Sequence, residues 1–188
     1  MTVRLLLVCQ GSTTATTRAG FPDGEPLTER GRREATAAAA AITGTAGGSV
    51  SWCSPAPAAR QTAAALGVTA EIDSGLRDCD FRRWRGRTLA DVQATEPEAV
   101  HTWLTDPAAN PYGGESVLEV IDRTAAWLTG RADHGGRVIA ITHAAVIRAA
   151  VLHVLDAPAT SFWRIDVPPL SRVCLTGHGG RWQVRATA

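Results

Sequence analysis

Two short and uninterrupted apolar runs, each followed at once by polar residues, constrain the fold of this chain most strongly. They lie at residues 5–8 and within residues 137–142. Continuous hydrophobicity is typical of strands that are buried on both faces of a parallel sheet. Helical patterns follow both runs, one of them capped by Thr28 and the other covering residues 144–155. This alternation predicts an α/β fold, a three-layer α/β/α sandwich with a mostly parallel central sheet and helices on both faces.

The remaining segments fit the same architecture. Residues 49–53 and 68–72 predict further strands, and the tail predicts one or two more strands that end in a hairpin, from residues 162–167, 171–176 and 182–185. A length of 188 residues suits one domain, residues 1–188. Residues of about 73–115 mix arginine, tryptophan and proline, and we expect them to form an insertion that covers the pocket.

Composition excludes several classes of chemistry. All 19 of the lysine-plus-arginine residues are arginine, so neither a lysine Schiff base nor a P-loop is possible. A formal net charge of +1 argues against nucleic acid and anionic membranes as partners. The arginine cluster at residues 82–87 predicts a solvated loop. Four cysteines without a C-x-x-C pair and five scattered histidines predict no metal, no cofactor and a cytoplasmic location, and no apolar stretch approaches the length of a membrane span.

The ends of the two apolar runs carry the candidate site. Cys9, Gln10 and Gly11 follow the first run, and His143 and Ala144 follow the second at the start of a helix. In open α/β sheets, ligands bind beyond the carboxyl ends of the strands, and the backbone donors of a helix start suit an anion. The sequence therefore predicts a pocket for a small molecule at this edge.

Motifs in these segments resemble those of the histidine phosphatase superfamily, also called the phosphoglycerate mutase-like family. Residues 7–13, L-V-C-Q-G-S-T, match the family's L-V-R-H-G-E-T, and residues 27–35 match L-T-x-x-G-x-x-Q-A. Residues 54–63 match S-x-x-x-R-x-x-Q-T-A, with Arg60 interpreted as the arginine and its spacing to Gln61-Thr62 shortened. Residues 76–86, 114–116 and 142–145 match the later motifs in order, and the size and the F-W-R-I-D tail look most like bacterial α-ribazole phosphatase-like members.

The resemblance implies roles for individual residues. In the family, the histidine after the first strand attacks the phosphoryl group, two arginines and a second histidine hold the phosphate oxygens, and an acid protonates the leaving group. Here the second arginine corresponds to Arg60, the second histidine to His143, and the acid to Asp78 or to Asp80 two residues later, with Asp78 preferred. Gln10 stands at the position of the attacking histidine, and Cys9 stands at the position of the first arginine.

Those two substitutions decide what the sequence predicts about function. The side-chain nitrogen of Gln10 has its lone pair delocalised into the carbonyl, so it cannot form the phosphohistidine analogue. A minor alternative nucleophile is Cys9, although successive strand residues point to opposite sides. The other residues expected at the mouth of the pocket are Gly11, Ser12, Thr13, Arg18, Glu115 and Ala144.

Three functions stay open at this point. The first is a protein that has lost phosphohistidine chemistry and retains a pocket for a small anionic or phosphorylated metabolite. The second is an enzyme of another class, such as an isomerase, cyclase or dehydratase, with His143 and Asp78 as acid/base groups. The third is a noncatalytic interaction protein that uses the middle segment rich in arginine and tryptophan, and a homodimer is also possible.

Overall fold

A computed structural model describes residues 1–44, 50–132 and 134–185. Within these residues the strands are β1 (Thr2–Cys9), β2 (Val50–Cys53), β3 (Glu71–Ile72), β4 (Gly136–Thr142), β5 (Arg172–His178) and β6 (Arg181–Arg185). They form one mixed sheet in the order β3-β2-β4-β1-β5-β6. The helices are α1 (Thr14–Thr17), α2 (Glu29–Thr43), α3 (Pro57–Ala65), α4 (Leu89–Thr95), α5 (Pro97–Thr105), α6 (Val117–Thr129) and α7 (Ala144–Leu155).

The two apolar runs lie side by side in the centre of the sheet. Strand β1 pairs in parallel with β4, and this register places Cys9 opposite Thr142. Strand β5 pairs with β1 in the antiparallel direction, and β6 completes the predicted hairpin. Because β1 and β4 end at the same level, the residues that follow them meet at one edge of the sheet, as the sequence predicts.

Helices cover both faces of the sheet, which confirms the predicted α/β/α sandwich. On one face Leu5 and Leu7 pack with residues of α6 and α7, including Leu128 and Ile147. On the other face the strand residues pack with α2 and α3, and that cluster comprises Val8, Ile42, Cys53, Ala59, Ala63, Leu66, Ile139 and Ile141. Burying these side chains stabilises the fold by about 25 cal/mol for each Å² of apolar surface removed from water.

Local signals set the helix starts. The side chain of Thr28 accepts a hydrogen bond from the amide of Gly31, as its cap position predicts. Ser116 and Glu119 form a capping box at the start of α6. Ser49, with which the second strand was predicted to begin, lies outside the described residues, and β2 covers Val50–Cys53.

Two of the three tail segments form the predicted strands of the hairpin, and residues 162–167 do not form a strand. A 3₁₀ helix covers Ala159–Arg164. Its aromatic residue Phe162 is buried against side chains of α6 and α7, among them Val120 and Ala149. The apolar character of this segment therefore serves packing on the two helices and not pairing in the sheet.

Residues 73–115 form short helices that share an apolar cluster. This segment contains 3₁₀ turns at Ser74–Leu76 and Arg82–Trp84, followed by α4 and α5. Its aromatic residues pack with Phe21, which precedes α2, in a cluster that contains Phe21, Trp84, Val92, Val100, Trp103 and Tyr112. That this segment is an insertion in a single domain stays a prediction. Among the described residues, no helix has the length and hydropathy of a membrane span.

Candidate functional site

Three buried polar residues follow the carboxyl ends of neighbouring parallel strands. Gln10 follows β1, Ser54 follows β2 and His143 follows β4. The backbone amide of Gln10 donates to the carbonyl of Thr142 at 2.8 Å, and the amide of Ser54 donates to the carbonyl of Ile141 at 2.9 Å. The exposed fractions of Gln10, Ser54 and His143 are 8%, 0% and 3%. The sheet thus fixes the backbone positions from which these side chains extend.

The imidazole of His143 is held between a hydroxyl and a carboxylate. Its Nε2 lies 2.7 Å from the Oγ of Ser54. Its Nδ1 lies 3.3 Å from the Oδ2 of Asp78, a charge contact that is not aligned as a hydrogen bond. Ser54 Oγ also accepts a hydrogen bond from the amide of Ala56. The ring nitrogens therefore face protein groups, and Asp78 is the partner whose side chain retains 24% exposure.

Asp78 is a carboxylate at neutral pH. Burial alone opposes its charge, but the charge of His143, a hydrogen bond from the amide of Cys79 and the charge of Arg123 outweigh burial and lower its pKa. The Cys79 amide donates to Asp78 Oδ1 at 2.9 Å. A group with a lowered pKa suits proton acceptance better than proton donation at neutral pH.

Asp80, the other candidate acid, is engaged with arginines instead. Its carboxylate lies 2.7 Å from Arg85 and 3.0 Å from Arg82. Burial opposes its charge, whereas the amide of Arg82 and the two guanidinium groups lower its pKa. Of the two acids, the structure brings Asp78 and not Asp80 into contact with His143.

A cavity with aromatic walls opens in front of these residues. We call it the aromatic lobe, and its volume is about 410 Å³. Its polar residues are Cys9, Gln10, Thr13, Thr16, Asp78, Cys79, His143 and Arg148. Its aromatic walls come from four separate segments and comprise Phe21, Phe81, Trp103, Tyr112, Phe162 and Trp163. A pocket of this size and lining fits a small molecule with apolar rings.

A second cavity adjoins the first and is lined by several charged side chains. We call it the polar lobe, and it shares Gln10, Pro22, Asp78, Cys79 and His143 with the aromatic lobe. Its charged side chains are Asp23, Glu25, Arg77, Asp78, Asp80 and Arg85. The four carboxylates outnumber the two guanidinium groups, and Arg77 and Arg85 are ion-paired with Glu115 and Asp80. This lobe does not concentrate positive charge.

Arg148 on α7 contributes positive charge to the aromatic lobe, and the sequence interpretation did not include it. Its Nε donates to the carbonyl of Ile165 at 2.8 Å. Its guanidinium carbon lies 5.7 Å from the ring centre of Phe162 and 5.6 Å from that of Trp163. Burial lowers the pKa of Arg148, and the negative charges of Asp166 and Asp78 partly offset this effect. The sequence feature that could have predicted this residue is its position four residues after Ala144, on the same face of the helix that follows His143.

The thiol of Cys9 is buried and protonated. Burial and the charge of Asp78 raise its pKa to about 12, with a small opposing effect from Arg148. Its exposed fraction is 4%, although it lines the aromatic lobe. Nucleophilic attack needs the thiolate, so this environment disfavours Cys9 as a replacement nucleophile.

The structure does not bring Arg60 to the site. Arg60 is exposed on α3, and it lines neither lobe. Two positions along a helix correspond to a rotation of about 200°, so Arg60 and Ala58 lie on nearly opposite faces of α3. Ala58 lies on the face that lines the polar lobe, with 2% exposure. The motif S-x-x-x-R-x-x-Q-T-A, counted without any shortening from Ser54, places its arginine at Ala58, so the assignment to Arg60 is corrected.

Residues near the start of α1 serve mainly local structure. The amide of Gly11 donates to Thr62 Oγ1 at 2.9 Å, so it is not free for an anion. The carbonyl of Ser12 accepts from the amide of Thr28, and Ser12 lines neither lobe. Thr13 lines the aromatic lobe, and its hydroxyl donates to Glu25 at 2.9 Å. Arg18 is exposed outside both lobes, whereas Ala144 lines the aromatic lobe.

Glu115 lines neither lobe and holds the Asp78 loop in place. Its Oε1 accepts from Arg77 at 2.6 Å and from Arg123 at 2.9 Å. Its Oε2 accepts from Arg123 at 3.0 Å and from the amide of Asp80 at 3.2 Å. Its expected position at the pocket mouth is therefore corrected to a supporting position behind the loop that carries Asp78.

The four arginines at residues 82–87 share two carboxylates. Arg82 and Arg85 pair with Asp80, and Arg83 and Arg87 pair with Glu96 at 2.7 and 2.6 Å. The two carboxylates reduce the positive charge of the cluster without cancelling it, and exposed pairs of this kind contribute little to stability.

These strand-end residues and the sheet order define an α/β protein with a phosphoglycerate mutase-like architecture. The chain belongs to the histidine phosphatase superfamily (branch 1), whose model matches residues 5–188. A Mycobacterium tuberculosis protein described as bifunctional is 31% identical over 175 residues, which cover 87% of this chain and 47% of that protein. The chain thus spans about half the length of the curated relatives it matches first.

Solved structures repeat the fold. A mycobacterial glucosyl-3-phosphoglycerate phosphatase in complex with VO3 has a TM-score of 0.86 and 25% identity, covering 97% of this chain and 96% of that one. A chain described as an α-ribazole-5'-P phosphatase from Escherichia coli has a TM-score of 0.85 and 20% identity, covering 97% of this chain and 94% of that one. At that identity the second likeness shows the fold alone.

Proposed function

We propose that this chain binds a small, largely apolar metabolite and does not perform phosphohistidine chemistry. One observation carries the proposal. At the position of the attacking histidine, Gln10 presents an amide to a cavity that is walled by aromatic side chains. An amide nitrogen is not a nucleophile for phosphorus, and in another covalent enzyme removal of the nucleophile cost about a million-fold in turnover.

The charges around Gln10 support the same proposal. Cys9 and Ala58 occupy both arginine positions of the family motifs, and neither carries positive charge. Each charged hydrogen bond lost from a phosphate ligand costs about 1.5 to 3 kcal/mol. The polar lobe adds carboxylates from Asp23 and Glu25. We therefore expect a phosphomonoester in the family's orientation to bind more weakly than a ligand of lower negative charge in the aromatic lobe.

The named relatives favour a different proposal, an ordinary phosphatase. Glucosyl-3-phosphoglycerate phosphatases are among both the curated relatives and the solved structures. Fold likeness does not by itself carry a reaction from one chain to another, because the reaction depends on particular side chains. The two proposals differ in whether this chain turns over a phosphomonoester.

A second candidate function is acid/base catalysis on the bound metabolite, for example isomerisation, cyclisation or dehydration. The contact between Asp78 and His143, at the junction of the two lobes, favours it. Asp78 is ionised and partly exposed, so it is the group that would accept a proton from a ligand. His143 would stabilise that carboxylate, and Ser54 would keep the imidazole in place.

An interaction protein has less support. The four arginines at residues 82–87 are ion-paired with Asp80 and Glu96, which reduces the positive charge they offer to a partner. The cytoplasmic location, the possible homodimer and the expected lack of nucleic-acid and membrane partners stay predictions from the sequence.

The test is a phosphatase assay with purified protein over a panel of phosphomonoesters that includes glucosyl-3-phosphoglycerate, phosphoserine and α-ribazole phosphate. We expect no release of phosphate above the buffer rate. Release at about 1 s⁻¹ or faster, abolished by Gln10→Ala or Cys9→Ala, would refute the proposal. Conversion of a candidate metabolite that is abolished by Asp78→Asn would select acid/base catalysis over binding alone.

A further inference from the structure

Arg148 is a cation without an anionic partner in an apolar setting. Among the described residues, its terminal nitrogens have no hydrogen-bond partner and no carboxylate lies within ion-pair distance. The side chain is partly buried, and the bond from its Nε to the carbonyl of Ile165 orients the guanidinium. A desolvated cation is costly unless it is paired, so this arrangement favours an anionic group in the cavity.

A second polar group in the same cavity lacks a partner. The side-chain carbonyl oxygen of Gln10 is buried and has no hydrogen-bond partner among the described residues, and Gln10 as a whole is only 8% exposed. Buried amide oxygens are almost always hydrogen-bonded in folded proteins. Gln10 lines both lobes, so a donor on a ligand in the aromatic lobe would complete its bonding.

The walls between these two groups select the rest of the ligand. Trp103 and Trp163 pack edge to face with ring centres 4.4 Å apart, and Phe81 lies 5.4 Å from Tyr112. All four rings line the cavity. Ring faces and edges of this kind favour flat, apolar ligand groups, and a volume of about 410 Å³ admits a ligand of two or three fused rings.

We propose that the aromatic lobe binds an aromatic or polycyclic carboxylate, with the carboxylate paired to Arg148 and a donor group near Gln10. This inference rests on the proposed function, because it names the ligand class of the same pocket. It differs from the binding of a phosphate ester in the family's orientation, whose phosphate would lie at Gln10 and His143, which line both lobes. A planar carboxylate matches the guanidinium fork. Its single negative charge is repelled by the nearby carboxylate of Asp78 less than the higher charge of a phosphomonoester would be.

The experiment is calorimetric titration of the full chain with 2-naphthoate and with its neutral analogue 2-naphthamide. We expect the wild type to bind the carboxylate at least about tenfold more tightly than the amide. Arg148→Met should weaken naphthoate binding about ten- to a hundredfold, the loss of one charged hydrogen-bonded contact, and leave naphthamide binding within about twofold. Arg60→Met removes an exposed arginine outside both lobes, and this matched control should bind both probes as the wild type does.

Three results would overturn the inference. They are no binding of naphthoate by the wild type, equal affinity for the carboxylate and the amide, or naphthoate binding that Arg148→Met leaves unchanged. If Arg148→Met does not fold, Arg148→Lys keeps the charge and should retain the preference for the carboxylate, and the wild-type preference remains a test by itself. Hydrolysis of a phosphomonoester would refute the proposed function instead, whatever the naphthoate titrations show.

Discussion

The substitution Glu115→Ala tests whether Glu115 supports the Asp78 loop or contacts a ligand. In the structure its carboxylate accepts from Arg77, from Arg123 twice and from the amide of Asp80. The side chains of Arg123 and Glu115 are only 12% and 15% exposed. Removal of the carboxylate leaves a nearly buried guanidinium without its charge partner.

The expected change in the free energy of unfolding depends on the hydrogen bonds that Arg123 retains in the variant. Loss of one partner from a buried ion pair costs about 3 to 5 kcal/mol. Arg123 still donates to the carbonyls of Gly75 and Arg77 at 2.8 and 3.1 Å, which lowers the cost. We therefore expect Glu115→Ala to lower the free energy of unfolding by about 2 to 3 kcal/mol, or the melting temperature by roughly 5 to 10 °C.

Urea denaturation followed by tryptophan fluorescence measures this change, since the chain has 6 tryptophans. Glu34→Ala is the matched control, because it removes a carboxylate from the exposed pair with Arg30, whose side chains are 79% and 38% exposed. That change should cost only a few tenths of a kcal/mol. A loss for Glu115→Ala no larger than the control, combined with lost naphthoate binding, would show that Glu115 is a ligand residue and that the supporting position is wrong.

Three further predictions concern Cys9, Gln10 and Asp78. Because the pKa of Cys9 is about 12, we expect iodoacetamide at pH 8 to alkylate Cys9 in the folded protein at least about a hundredfold more slowly than in protein unfolded in urea. Mass spectrometry measures both rates, and equal rates would contradict the prediction. Gln10→His alone should not release phosphate from p-nitrophenyl phosphate, since Cys9 and Ala58 supply no guanidinium; turnover would contradict this. The pKa of Asp78 is lowered in the folded protein, so its ionised carboxylate stabilises the fold above about pH 4, and this contribution is lost as the pH falls through the folded pKa. Asp78→Asn should therefore lower the free energy of unfolding at pH 7 and leave it unchanged in acid, as measured by urea denaturation.

The fold could be predicted because its central elements carry strong local signals. Strands β1 and β4 are continuous apolar runs, and Thr28 caps its helix as the sequence indicates. The sequence could not decide which of the three tail segments would be strands. The short run of apolar and aromatic residues around Phe162 has no period that separates a strand from a helical turn. Tertiary packing on α6 and α7 decides its conformation.

The candidate site was predictable only where it follows the strands. Gln10 and His143 lie at strand ends, which the topology brings together. Arg60 was assigned by residue type at a shifted spacing, whereas the helix turns that position away and presents Ala58. The aromatic lobe and Arg148 could not be foreseen, because the walls come from segments far apart in the chain, including residues 21, 81, 103 and 163.

The most direct test of the central claim is a titration of the protein with orthovanadate, followed by tryptophan fluorescence. A phosphatase related to this chain has been solved with VO3, and analogues of a transition state bind an active enzyme 10²- to 10⁸-fold more tightly than substrates, as an order of magnitude. On the proposed correspondence, Cys9, Gln10 and Ala58 stand at the positions of the family's arginine, histidine and arginine. We therefore predict no saturable binding below about 1 mM vanadate. Saturable micromolar binding that Gln10→Ala abolishes would contradict the account and indicate that this chain is an active phosphatase.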